Sequence, residues 1–418
     1  MSPPTSWNWD PCRNRILSIA TLASRFDSAN EWCPSPDGTR LAGCFTGDGQ
    51  AHVSVNGEPW EGPFEKAWHL RFAPDGRLLA LARIDDQWTV VVDGQPWEER
   101  FDFAWNPSFS PDGTSIAVQI KQDMKHSIAV NGVAWEARFL SCRDYCISPD
   151  GQHVAALVQT KELAEADIFE FLEGTWSVAV DGTTWERSFL NVYGPTFSPD
   201  SAHVAVEARL EPFEYTVAQD NAPWKERFGA VWEPGYRASS RITVPVRRKG
   251  AWTLAENGTP IWRDYTQLWH LRFGPEAKRI AAVVATTWGR WTIAVDDAPW
   301  PVTFSDAVLA PVFSACGKRV AAVVRDGGRW SICVDGIPWG SQYDMAWDPV
   351  FSPDAERVAA KVEVEGAYRI AINGKLSRDS FEQLWEPTFS PDGTRMLVRG
   401  VQDGHYTRIV APIEDITG

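Results

Sequence analysis

The chain of 418 residues carries 55 acidic side chains against 40 Lys and Arg, a formal net charge of −15, and its basic residues gather nowhere beyond Arg247-Arg248-Lys249. A nucleic-acid partner demands a basic face, so this balance argues against one and leaves the acidic surface as a source of solubility. Seven cysteines, odd in number and without C-x-x-C spacing, argue against a zinc or haem-attachment site and for free thiols in a reducing compartment.

The first residues, Pro- and Trp-rich, lack a basic start and an apolar run, and no stretch approaches a membrane span; the expectation is a cytoplasmic chain without direct membrane insertion. Residues 1–14 read as a tail and 15–418 as one repeat array. Within the array a Pro-Asp-Gly turn recurs about every 38 residues, at Pro36, Pro74, Pro111, Pro149, Pro199, Pro275, Pro353 and Pro391, with degenerate copies at Ala238 and Ala315. Such a period, with turn signals and alternating strands, predicts an all-β fold: a β-propeller of ten four-stranded blades.

In the third copy, 104–110 reads as strand a and 115–120, after the Pro111-Asp112-Gly113 turn, as strand b. Residues 127–130, the Asn131-Gly132 hairpin and 133–139 read as strands c and d. The tenth copy stops short of a d strand, and the segment from Arg15 precedes the first strand a. The N-terminal strand is therefore expected to complete the last blade and leave no open edge. Trp68-His69-Leu70-Arg71-Phe72 and Trp269-His270-Leu271-Arg272-Phe273, five repeats apart, leave two five-bladed rings as the alternative.

Of the 23 tryptophans, 19 fall in repeat columns on strands a, c and d, as packing between blades requires; Trp7, Trp9, Trp32 and Trp288 lie outside them. The slot after the strand-a tryptophan holds Glu31, His69, Asn106, Asp144, Glu233, His270, Asp348 and Glu386. On the same strand face two residues on stand Arg71 and Arg272, and the whole set is the candidate lining of a polar central channel. His69 and His270, five blades apart, stand too far across a wide ring to share one metal ion. No catalytic, cofactor or metal signature is present, so the expected assignment is no catalytic residue, no cofactor and no metal. One insertion, near 161–174, breaks the period, and its apolar residues Ile168, Phe169, Phe171 and Leu172 are the candidate partner contact.

The phrase Ser110-Pro111-Asp112-Gly113-Thr114-Ser115-Ile116-Ala117 resembles TolB-type and WD-repeat-like propellers, from about Arg15 to the end. The hairpins Asp93-Gly94-Gln95-Pro96-Trp97 and Asp335-Gly336-Ile337-Pro338-Trp339 are similar to the tryptophan-rich soluble subunit of the Tmc transmembrane redox complex of sulfate-reducing bacteria. That resemblance implies an accessory subunit peripheral on the inner face of the cytoplasmic membrane. It would dock on an iron–sulfur subunit, with a cytochrome b and a multihaem cytochrome c as further partners. A propeller binding a ligand in its polar channel, and an uncharacterised hydrolase or lyase, are the rival expectations.

Overall fold

Blade 3 shows how the repeat builds a sheet in the computed structural model, which describes residues 6–162 and 168–417. Strands a (Phe103–Phe109), b (Ile116–Gln122), c (Lys125–Val130) and d (Val133–Ala134) pair in that order, all antiparallel. Asn131 and Gly132 both take positive φ, 49° and 88°, the type I′ geometry whose twist suits a tight hairpin. Asn131 Oδ1 also accepts the Ile116 N–H at 2.8 Å, so the c–d hairpin fixes where strand b begins. An Asn or Asp acts likewise in the blades before and after, from Asn56 on Leu41 to Asn373 on Val358. In the turn, Ser110 Oγ donates to Asp112 and accepts from the Ser115 N–H at 2.9 Å.

Strand d departs from the expected continuous run over 133–139. It pairs for two residues and then makes only a bridge between Phe139 and His126. Between these points the carbonyl of Ala137 is taken by Ser127 Oγ at 2.8 Å instead of by the strand ladder. Thr89, Ser177, Thr216, Thr292 and Ser331 do the same in other blades.

Core clusters span neighbouring blades: Leu79, Leu81, Val90 and Phe101 of blade 2 pack on Ile116, Val118 and Ile120 of blade 3. On this scale each fully buried aliphatic side chain contributes about 1.5–3 kcal/mol. The d-strand tryptophans explain the D-G-x-P-W phrase. Trp97 covers the hairpin of the next blade so closely that a Cβ at Gly132 would stand 3.4 Å from its ring. Trp60 over Gly94, Trp135 over Gly182 and Trp339 over Gly374 repeat the contact. Gly132→Val should therefore destabilise by about 1–3 kcal/mol, since a β-branched residue is forced into the left-handed region beneath an indole. The check is a lower urea midpoint at unchanged m-value.

Arginines stitch the turns together. Arg77 donates to the Gly113 carbonyl of the next blade, Arg319 to Ala355 at 2.8 Å and Arg237 to Ala277 at 2.7 Å. These links had no visible counterpart in the sequence.

Closure follows the expected route. The N-terminal strand, Cys12–Ser18, pairs with His405–Pro412 in a register that places Cys12 opposite Val410, making it the outermost strand of blade 10. It starts at Cys12, ahead of Arg15, and Asn8 and Trp9 are also tied to this blade through their carbonyls by Arg408 and Arg395. Blade 10 then meets blade 1 through polar contacts: Tyr406 Oη donates to Gly38 O at 3.0 Å and Arg408 Nε to Asp37 O at 2.8 Å. Blade 5 packs on blade 6, with Ala205 and Val217 in one cluster with Phe228, Val231 and Tyr236. Two five-bladed rings would need blade 5 closed on blade 1 and blade 10 on blade 6, so the ring is single and ten-bladed, and the alternative of two rings falls.

The insertion lies between strands Val154–Gln159 and Trp176–Val180 of blade 4 and ends in a short helix, Ile168–Glu173. Its residues 163–167 lie outside the described residues, and for Ile168 and Phe169 the description covers the backbone alone. Phe171 is half-buried and Leu172 exposed.

Candidate functional site

The first strands of successive blades pack on one another, as the inner strands of a propeller do. On these strands the candidate column occupies a recurrent irregularity. The a–b register shifts between Trp68 and Arg71, Trp105 and Ser108, and Trp269 and Arg272. The residue at the shift adopts positive φ, His69 63°, Asn106 52° and His270 53°, and so does Glu233, 38°, in the break of strand a of blade 6. A bulge of this kind re-aims one side chain out of the ladder, which accounts for the polar residues in the slot. In blades 6, 8, 9 and 10 strand a is split at the slot into two short pieces.

The structure groups part of the column. Glu31 of blade 1 reaches into the bulge of blade 2, accepting from the Leu70 N–H at 3.0 Å and pairing with Arg71 at 3.3 Å. Burial and Arg71 push the pKa of His69 down against the opposing pull of Glu31. Five blades on, His270 is likewise lowered by burial, opposed by Glu233 of blade 6 and aided by Arg272. The Trp-His-Leu-Arg-Phe duplication thus marks two Glu–His–Arg groups on blades half a ring apart. Asn106 donates to Gln119 at 3.3 Å, and Asp144, Asp348 and Glu386 are exposed. Among the described residues no three His, Cys, Asp or Glu converge as a metal-ligand set.

A second column, on strand b behind the tryptophans, was missed. It holds Gln119, Glu207, Pro245, Lys361 and Arg399, each beside the strand-a residue of its blade. Its signal was a charged or amide residue inside an apolar run, as in Val204-Ala205-Val206-Glu207-Ala208. In blade 9 the Lys361 ammonium sits 4.3 Å from the Trp347 ring centroid and 4.4 Å from that of Tyr368. Burial lowers its pKa, while Glu386 and Glu363 counteract. In blade 6 the same slot is Pro245, whose carbonyl accepts from the Trp232 N–H at 3.0 Å, and Trp232 packs on Trp252 with centroids 4.5 Å apart and ring planes tilted by 39°.

Here a cleft of about 380 Å³ opens between blades 6 and 7, lined by Trp232, Glu233, Pro245, Trp269 and His270. Two members of the expected column, Glu233 and His270, therefore share one cleft with two indoles. Of the four tryptophans outside the columns, Trp32 packs edge-on against Phe45 and Trp7 stacks on Trp9, whereas Trp288 stands free at a hairpin tip, 78% exposed. The seven cysteines are unpaired with one another; burial pushes Cys142 and Cys146 up to about 12, which keeps both as thiols.

Ten four-stranded antiparallel sheets in one closed ring, with an aromatic and polar inner column, define a ten-bladed β-propeller. No protein-family model and no curated protein matches the chain. Among solved structures it is similar to a eukaryotic initiation factor, at 13% identity and a TM-score of 0.46 over 81% of this chain and 96% of that one. It is also similar to the Dos1 propeller, at 12% identity and 0.40 over 73% and 91%. A third likeness is to the Myceliophteria thermophila Cps50 (Swd1) β-propeller domain, at 12% and 0.31 over 64% and 97%. With TM-scores below 0.5 these likenesses carry no functional argument, and the class rests on the chain's own sheets.

Proposed function

We propose that the ring is a non-catalytic interaction scaffold, docking a protein partner on the face that carries the b–c hairpins. The observation behind this reading is an arc of apolar tips: Met124 in blade 3, Leu172 in the blade 4 insertion, Phe213 in blade 5 and Trp288 in blade 7, exposed by 74%, 46%, 83% and 78%. They share one face because b–c hairpins lie beside the connections that enter strand a, as the bond from Asp123 N to Asp102 at 2.8 Å illustrates. The same hairpins in blades 1, 2, 9 and 10 end in Asp48, Asp85-Asp86, Glu365 and Asp403, and that of blade 6, within the arc, in Lys249. Large apolar groups held in water on one arc of a ring are what a partner surface requires.

The partner in this reading is the iron–sulfur subunit of a membrane-associated electron-transfer complex, with the ring peripheral on the cytoplasmic side. Its support is the resemblance of the tryptophan-rich hairpins. Among the described residues no helix is long and apolar enough to cross a membrane. The test is an affinity pull-down of the tagged chain from its native membranes, beside a variant carrying Phe213→Ser and Trp288→Ser. The expected result is co-elution of haem and iron–sulfur absorption with the native chain and its loss with the variant. A colourless native chain eluting alone overturns the redox assignment, and partners retained by the variant overturn the docking face.

A further inference from the structure

We propose that the cleft between blades 6 and 7 binds an alkylammonium cation, held against the indoles of Trp232 and Trp269 and facing the Glu233 carboxylate.

The walls are mainly aromatic, and the volume of about 380 Å³ lies in the range of small-ligand sites. Trp232 is 43% exposed, although burying an indole on its inter-blade column would stabilise the ring. The polar groups in the lining are few: Glu233, exposed and acidic, and His270, which its burial keeps toward the neutral form. Indole faces attract a cation through their quadrupole, and a carboxylate at the rim supplies the opposite charge. A sugar would ask instead for several fixed donors and acceptors, and an anion would meet Glu233.

The ring contains its own precedent. Blade 9 places the Lys361 ammonium between Trp347 and Tyr368 with Glu386 nearby, the same combination of two aromatic faces and an acid. Arg143 lies 3.5 Å from the Trp176 ring centroid in blade 4, and Arg325 5.3 Å from that of Trp330 in blade 8. At the Lys361 position blade 6 has Pro245, which brings no charge, and the second indole of the cleft is Trp269 of blade 7, because Trp252 packs directly on Trp232 with centroids 4.5 Å apart. Arg272, the nearest guanidinium on strand a of blade 7, is exposed and donates to its neighbour Leu271 O at 2.9 Å. The cleft is thus an aromatic–acid site whose lining, among the described residues, contains no Lys or Arg.

The test uses the full chain and two isosteric probes, choline and the uncharged 3,3-dimethylbutan-1-ol, followed by calorimetry and saturation-transfer NMR. Choline should bind saturably and at least about tenfold more tightly than the neutral isostere, the scale of a desolvated cation–π contact. Trp269→Ala and Glu233→Gln should each weaken it by about tenfold, and Trp288→Ser should leave it unchanged. Pro245→Lys, which gives blade 6 the residue of blade 9, should abolish binding without removing an indole. A trimethyllysine peptide binding more tightly than choline would place the cation on a partner's side chain; the reverse order would make it a free metabolite. Equal affinity for both isosteres, or choline binding that survives both Trp269→Ala and Pro245→Lys, overturns the site.

Discussion

Deleting the chain through Ser18 should cost more than any single side-chain change. The N-terminal strand is the fourth strand of blade 10, paired from Cys12 opposite Val410 to Ser18 opposite His405 with one bulge between Arg15 and Leu17. Arg13 adds an ion pair to Asp379 and Arg15 one to Asp403 at 3.1 Å. Without it, His405–Pro412 becomes a free edge next to the polar seam with blade 1, where Tyr406 is fully buried. An unpaired edge of that length is a template for intermolecular pairing. The loss should exceed the ~2–5 kcal/mol of one large-to-small core substitution. The expected readings are a markedly lower thermal midpoint and oligomers in size-exclusion chromatography with light scattering. A truncated monomer with an unchanged midpoint would show that the seam closes the ring unaided.

Raising the pH from 5 to 8.5 should open a widening stability gap between the native chain and Glu207→Gln, in the variant's favour. Glu207 lies on strand b of blade 5, 8% exposed, and burial raises its pKa to about 8, with the Glu233 carboxylate adding to the effect. Its unfolded value is near 4.3. Between these values the folded chain holds the proton that the unfolded chain has released, so stability falls as pH rises through the window and the full cost is present above pH 8. The ceiling on that cost is on the order of 5 kcal/mol. Urea unfolding at pH 5, 7 and 8.5 should show the variant more stable than the native chain at pH 8.5 and the two converging near pH 5. Parallel profiles for the two would mean that Glu207 is ionised in the fold.

What was legible in the sequence was the chemistry that acts within a few residues. Asn131-Gly132 implied a type I′ hairpin and received one, and the Ser-Pro-Asp-Gly phrase implied the turn. In the eighth copy Cys316 even stands in the aspartate position, its thiol 3.4 Å from Ser314 Oγ. Blade closure was legible because strands are countable. The course of strand d beyond Ala134 was not, since it depends on Ser127 intercepting the Ala137 carbonyl across the sheet. The arginine links between turns escaped for the same reason: Arg319 and Ala355 are 36 residues apart and meet only once two blades are docked. As for the candidate site, the slot column was found, but its partners on strand b were hidden, because Glu207 and Lys361 looked like isolated polar residues in apolar strands.

The bond between the two ends of the chain also orders events during synthesis. The strand that seals blade 10 is made before the blades, yet its mate, His405–Pro412, is made only after nearly all of them. Until that mate is made the nascent chain must keep Cys12–Ser18 uncommitted while blade after blade assembles on the one before. Sealing is therefore the last step of ring assembly, slow because of the sequence separation it spans. Until then the growing array has an open edge at each end, the interval in which a chaperone would have most to protect.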